Sequence, residues 1–385
     1  MSEWRIIKLS ECCSSIADGD HQPPPKAESG IPFITISNFT STNALDFSDT
    51  MFVPKAYYDA LDEKRKPNSG DIIYSIVGAT LGIPIYIRDD KPFVFQRHIG
   101  ILRCDKSIVD PRFLYYVMLS RGFYLMADSV AVGAAQRTIG LASLRNLEIR
   151  IPSLKMQSRI AAILSAYDDL IETNQHQIKL LEEAAQRLYK QWFVDLRYPG
   201  HENVPVVNGV PEGWSKGILG DIALFRRGQM ITKAHVHDGN VPVVAGGLEP
   251  SCYHDEANTV APVITVSGSG ANAGFTRLYS VNVFASDCSF VDRNTSPYLY
   301  FAYCYLKANK SRLGSLQKGS AQPHVYAKDL NALTLVVPSN HVLEAFCRYI
   351  TPFFEKIGVL ERAITQSSQA RDRLLPKLIS GEIAV

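Results

Sequence analysis

A chain of 385 residues with 46% hydrophobic content can bury more than one core, and its length suggests two or three domains. With 40 basic and 38 acidic side chains the net charge is +2, so a nucleic-acid partner must be met by local patches rather than a global field. Seven scattered cysteines without a C-x-x-C pair argue against a zinc or disulfide framework, no apolar run approaches the roughly 18 residues that span a bilayer, and the N-terminus has no signal-peptide pattern, so a soluble cytoplasmic protein is expected.

Trp4, Leu9 and Glu11 open the chain. Asp18-Gly19-Asp20-His21-Gln22 has the composition of a metal cluster but no second ligand group at a useful spacing, so a polar loop and no metal are expected. Residues 31–34 (Ile-Pro-Phe-Ile) are followed by Ile72-Ile73-Tyr74-Ser75-Ile76, which reads as a buried strand running into the turn Gly78-Ala79-Thr80-Leu81-Gly82. Pro111 to Met126, rich in Phe113, Leu114, Tyr115, Val117 and Leu119, reads as a helix whose aromatics belong to the core. The Gly133-Ala134-Ala135-Gln136 box precedes an alternating run, Leu144, Leu147, Ile149 and Ile151, that stops at Pro152. From there Leu164, Tyr167, Ile171, Asn174, Ile178, Leu181, Ala185, Leu188 and Trp192 recur at alternating spacings of three and four, which places them on one stripe of a long helix.

After a connector punctuated by Pro199, Gly200, Gly209, Pro211 and Gly213, the pattern returns. Trp214, Leu219 and Asp221 repeat the opening at a shift of 210, and Val241-Pro242-Val243-Val244 repeats residues 31–34 at the same shift. The strand Val263-Ile264-Thr265-Val266 and the turn Gly270-Ala271-Asn272-Ala273-Gly274 follow at a shift of 192, and a helix is expected over Pro297 to Leu306. At a shift of 186, without a gap, Gly319-Ser320-Ala321-Gln322 repeats the small-residue box and Pro338 repeats Pro152. The second stripe is then Ile350, Phe353, Ile357, Leu360, Ile364, Ser367, Arg371, Leu374 and Leu378. Stripes of about four heptads cannot stay wet, and the surface of matching length is the twin helix. A local core for each helix is the alternative. Asn174, Ser367 and Arg371 either fix the register or mark where the seam opens toward a partner. The expectation is an α+β chain of two tandem mixed units joined by a long two-helix antiparallel coiled coil with a pseudo-two-fold internal repeat. Two similar heads on a rod suit two DNA sites about a helical turn or more apart.

The duplicated unit resembles the specificity subunit of a Type I restriction–modification system. Gly70-Asp71-Ile72-Ile73-Tyr74-Ser75 with Gly78 to Gly82, the Gly133 box, the strand to Pro152 and Gln157 at the head of a long helix carry the resemblance. The second copy departs from it: Ala261-Pro262 replaces Gly70-Asp71, Pro323 stands for Arg137 and Leu343 for Gln157. The resemblance implies a target recognition domain over 1–152, a long helix over 153–197, a connector over 198–212, a second recognition domain over 213–338 and a second long helix over 339–385. It also implies a non-catalytic subunit reading one half-site per domain in double-stranded DNA, with the coiled coil setting an unread spacer. Two adenine-methyltransferase (modification) subunits and the restriction subunits would dock on it. S-adenosylmethionine, ATP and magnesium would belong to those partners, and no cofactor to this chain. A coiled-coil adaptor without DNA reading is the alternative.

Each head must present donors to base edges and phosphates. The candidates are Ser75, Gly78, Thr80, Gln96, Arg97, Gln136 and Arg137 in the first copy, and Arg226, Arg227, Gln229, Ser267, Ser269, Asn272, Lys318, Gln322 and His324 in the second. Arg beside Gln offers one bidentate group for guanine and one for adenine. Catalytic readings fail on the residues. Gln22-Pro23-Pro24-Pro25 lacks both ends of an adenine-methyltransferase tetrapeptide, and Gly268-Ser269-Gly270 lacks the spacing of a cofactor loop. There is no Walker lysine motif, no nuclease-like carboxylate pair followed by lysine, and no nucleophile elbow around Ser269.

Overall fold

A computed structural model describes residues 4–19, 23–40, 43–134, 136–317 and 323–385. The chain divides into two compact units, Met1–Leu170 with Gln366–Val385, and Ile171–Thr365.

In the first unit an antiparallel sheet takes the strands Cys13–Asp18, Ile99–Cys104, Ile72–Ser75 and Pro84–Tyr86 in that order. The strand 72–75 has no polar face because both sides are covered: Ile72 and Tyr74 pack with Phe113 and Leu114, whereas Ile73 packs with Ile34 and Phe95. A second sheet runs Met51–Val53, Ile31–Ile34, Val94–Phe95, the last pair parallel, and Arg5–Lys8 pairs with Glu148–Ile151. The helix expected from Pro111 through Met126 is two helices, Pro111–Leu119 and Arg121–Ser129. Ser120 breaks it: its extended backbone lets the hydroxyl donate to the Val117 carbonyl (2.6 Å) and accept from the Phe123 amide (3.3 Å), ending one helix and starting the next.

The second unit has the same strand order: Arg226–Arg227, Cys288–Asp292, Val263–Ser267, Thr276–Tyr279 in one sheet and Cys252–His254, Val241–Val244, Phe284–Ala285 in the other, with Ser215–Ile218 on Thr334–Val337. Its single hydrogen bonds also repeat at the shifts read from the sequence. The Leu9 amide donates to the Leu147 carbonyl at 2.9 Å, and the Leu219 amide to the Leu333 carbonyl at 2.8 Å. Likewise the Gly82 amide meets the Ser75 carbonyl and the Gly274 amide meets that of Ser267, both at 2.9 Å. The helix expected over 297–306 is Leu299–Ala308, because the Ser296 hydroxyl accepts from the Tyr298 amide (3.1 Å) while donating to the Ile222 carbonyl (2.8 Å), which holds Pro297 in a turn.

Two long helices follow the terminal strands, Leu154–Tyr189 (36 residues, continued by a π turn, Lys190–Val194) and Asn340–Ser380 (41 residues). In the first unit Leu164 shares a core with Leu374, Leu375 and Leu378. In the second unit Trp192 packs its ring on Phe346 and Tyr349 (centroids 5.6 and 5.7 Å apart), and Ile178, Leu181 and Leu188 pack on the core that holds Ile350 and Ile357. Leu360 is buried; Ile171 and Ile364 are half-buried. The apolar stripe is wider than a two-per-heptad seam, since Phe346, Phe354 and Leu375 are buried beside it. Arg371 is an internal partner: its guanidinium donates to Asp168 at 2.6 Å, and the Tyr116 hydroxyl donates to the other carboxylate oxygen at 2.6 Å. Asn174 and Ser367 are both buried. Gln157 ties the helix start to its surroundings, accepting from the Asp110 amide (2.8 Å) and donating to the Ile108 and Pro152 carbonyls (3.2 and 2.9 Å); the second copy has Leu343, buried in apolar surroundings. Among the described residues no helix is long and apolar enough to cross a membrane.

Candidate nucleic-acid interface

At one end of the first unit's main sheet three loops are knitted together through Ile76. Its amide donates to the His98 carbonyl (3.1 Å), its carbonyl accepts from the Ile139 amide (2.9 Å), and the Gly78 amide donates to the Arg137 carbonyl (2.9 Å). Gly78 sits at φ +83°, a left-handed conformation that a side chain would strain, so glycine is what lets the turn meet the 133–138 loop. This end brings together Gly78, Thr80, Arg97, Gln136 and Arg137. Gln136 and the Arg97 and Arg137 side chains are exposed, and Gln96 and Thr80 are half-buried. Arg97 donates to the His98 ring at 3.4 Å, and burial together with the Arg97 charge holds His98 below the usual histidine value. Arg137 is engaged internally, with Nε 2.9 Å from the Asp128 carboxylate and a further bond to the Asp128 carbonyl.

Ser75 corrects the sequence reading. It is fully buried, and its hydroxyl shares a hydrogen bond of 3.2 Å with that of Thr80, so it supports the turn and does not face a ligand. Ser267, its counterpart, is buried too. Both point inward because the strand preceding each turn is covered on both faces.

The second unit repeats the knitting bond for bond. The Gly268 amide donates to the Asp287 carbonyl (3.2 Å), the Val325 amide to the Gly268 carbonyl (3.0 Å), and the Gly270 amide to the Pro323 carbonyl (3.0 Å). The hydroxyl of Ser269 is committed to the Asp287 carboxylate. Gln229 is exposed beside this end, its amide on the Ala285 carbonyl (2.9 Å), because Gly228 lies so close to Ser286 that a Cβ would stand 2.2 Å from its carbonyl. Arg226 and Arg227 are exposed on the edge strand opposite Phe290 and Ser289. Asn272 and His324 are half-buried, and His324 stacks on Tyr326 with ring planes 12° apart. Lys318 and Gln322 lie outside the described residues, as do Ala135, Asp20, His21 and Gln22. The sequence reading missed Asp128, Asp287, Tyr326 and Lys328, whose ammonium stands 5.8 Å over the Tyr326 ring. Their partners are distant in sequence or gain meaning only once the turns are folded.

Among the described residues, the one group of histidine and acidic side chains placed to hold a metal ion is His237, His254 and Asp255.

The family model for the Type I restriction modification DNA specificity domain matches residues 1–183 and 211–366. The chain is 26% identical over 309 residues to the specificity subunit of the Type I restriction enzyme MjaIX of Methanocaldococcus jannaschii, covering 73% of this chain and 71% of that one. It is 31% identical over 204 residues to the HindI specificity subunit of Haemophilus influenzae, covering 51% and 42%. In fold it is similar to the crystal structure of a Type I restriction–modification S subunit from M. genitalium, with a TM-score of 0.63 and 18% identity across 98% of this chain and 96% of that one. With the duplicated unit and matches on both halves, this chain belongs to the Type I restriction–modification DNA specificity family.

Proposed function

We propose that this chain reads a bipartite DNA target, one half-site per unit, on behalf of a Type I restriction–modification assembly. The observation that carries the reading is the repeated loop end: each unit knits a glycine turn to the loop after its helices, and each leaves arginine and glutamine beside it. Arg97, Gln136 and Arg137 form the first reading set; Arg226, Arg227, Gln229 and His324 form the second. Arginine pairs with guanine and glutamine with adenine in the major groove, while Thr80 and the exposed guanidinium groups suit phosphates. Lys318 and Gln322 belong to the second set on sequence grounds.

The chain carries no chemistry of its own in this proposal. Two modification subunits bring S-adenosylmethionine, restriction subunits bring ATP and magnesium, and the long helices act as a pseudo-two-fold coiled coil that sets the spacer and offers docking surface. Helices of 36 and 41 residues run for about 54 and 62 Å at 1.5 Å per residue, long enough for a ruler. The domain limits proposed from the sequence, 1–152 and 213–338 for reading and 153–197 and 339–385 for the helices, define the test. Sequencing of methylated adenines made by the assembled methyltransferase should return two short blocks with an indifferent gap. Exchanging residues 1–152 for another recognition domain should change one block only. A single continuous target, or both blocks changing together, overturns the reading. Binding without salt dependence would favour an adaptor instead.

A further inference from the structure

We infer that the second unit carries a binding site for a borderline-soft divalent cation of the zinc class, formed by His237, His254 and Asp255. His254 closes the edge strand Cys252–His254, is buried at 6% exposure, and has its ring set edge-on to Phe284 with centroids 5.5 Å apart. The loop that carries His237 folds back onto this strand end because Gly239 lacks a side chain: a Cβ there would stand 2.2 Å from the His254 carbonyl and 2.4 Å from Asp255 Cα.

The donor atoms converge. Asp255 Oδ1 is 3.0 Å from His254 Nδ1, and Asp255 Oδ2 is 3.4 Å from His237 Nδ1. One ligand atom from each residue lies within 4.8 Å of the others. A tetrahedral zinc site with metal–ligand bonds of about 2.0–2.1 Å has ligands about 3.3 Å apart, close to the two histidine–carboxylate separations of 3.0 and 3.4 Å. The His237 backbone amide donates to His254 Nδ1 at 3.1 Å, so an ion bound at that nitrogen takes the place of this bond. Two imidazoles and one carboxylate suit zinc, cobalt or nickel rather than the all-oxygen sites of calcium and magnesium. Three protein ligands leave a fourth position for water. The ion would clamp the 233–239 loop to the edge strand. The sequence offered no cysteine framework for zinc, and none is used here.

The test uses the full chain, stripped with a chelator and titrated calorimetrically with zinc sulfate, with cobalt absorption as the coordination signature. Wild type should bind one Zn2+ at this site, and the cobalt complex should show the spectrum of a four-coordinate ion. His237→Ala changes an exposed side chain and leaves the core intact. It should weaken binding at least tenfold, as should Asp255→Asn, since losing a second-shell partner alone typically lowers affinity 10–100-fold. Cys252→Ser, on the same strand, should bind as wild type. Absence of zinc binding in wild type, or equal isotherms for wild type and both ligand variants, overturns the proposal.

Discussion

The two units place opposite chemistry at equivalent positions of a shared scaffold. In the first, Tyr116, Asp168 and Arg371 form a hydrogen-bonded clasp between the short helix after the sheet and the two long helices. The same positions in the second unit, at shifts of 185 and 186, are Phe301, Phe354 and Ala185, all within one apolar core. Burial and then the bond to Asp168 push the Tyr116 hydroxyl well above its ordinary value, which keeps it a donor at any physiological pH. The second unit instead stacks aromatics, with Phe193 4.8 Å from both Phe301 and Phe346 and Tyr300 lying flat on Phe354 at 4.6 Å. One backbone plan thus accepts either solution. The polar clasp sets geometry through directed bonds, and the aromatic plug adds more burial per residue.

The largest expected effect breaks the aromatic plug. Phe346 is fully buried among Tyr189, Trp192, Phe193 and Phe301, so Phe346→Ala should remove about 4 kcal/mol of stability in urea unfolding. Its counterpart Ile160, 1% exposed, should lose about 3 kcal/mol as alanine because the smaller side chain leaves a smaller cavity. Equal losses would mean that the plug is no better packed than the plainer core.

The clasp comes next. Asp168→Ala strands Arg371 and the Tyr116 hydroxyl and should lose about 3 kcal/mol, near the low end for a broken buried pair because Arg371 keeps 22% exposure and its second partner Asp372. Installing the second unit's set, Tyr116→Phe with Asp168→Phe and Arg371→Ala, should return stability to within about 1.5 kcal/mol of wild type. A triple variant as weak as the single one would show that the clasp is needed for the first unit's fold and is not one of two interchangeable solutions.

The duplication was legible in the sequence because backbone hydrogen bonds follow apolar periodicity and turn residues, both local signals. The shifts of 210, 192 and 186 that align Leu9, Ser75 and Leu147 with their repeats are the shifts at which the bonds recur. The wiring of the polar groups was not legible. Asp168 follows the stripe residue Tyr167 and reads as a solvated acid until Tyr116 and Arg371, 52 and 203 positions away, close on it. Ser75 reads as a turn-flanking donor until both faces of its strand are covered. The break at Ser120 was hidden because an apolar run on either side of a serine has one helical period. Arg137 reads as a DNA-facing cation until Asp128, on the preceding helix, takes it.

Glycines at matched turns separate backbone strain from crowding. Gly82 and Gly274 have φ of +92° and +88°, so alanine at either should lose about 1 kcal/mol for the left-handed conformation. At Gly274 the nearest atoms to a Cβ are 3.7 Å away, whereas at Gly82 the Tyr124 ring stands at 2.6 Å. Gly82→Ala should therefore lose about 2 kcal/mol and shift Tyr124 out from beneath the Arg121 guanidinium, 4.9 Å above its ring. Matched losses would mean that Tyr124 swings aside without penalty.

The smallest stability effect bears most directly on DNA reading. Arg137 and Asp128 are 45% and 36% exposed, so Asp128→Asn should change stability by less than about 1 kcal/mol. In the proposed function, however, Arg137 must leave Asp128 to meet DNA, and the second unit, with Pro323 at that position, has no such exchange. Removing the carboxylate charge then strengthens DNA binding by the assembled methyltransferase at low salt and steepens its salt dependence, because one more cation is available to a phosphate. Arg137→Gln in the same background should abolish that gain. A gain that survived Arg137→Gln would place the effect in the general field of the unit, and no gain at all would leave Arg137 a structural partner of the 121–129 helix.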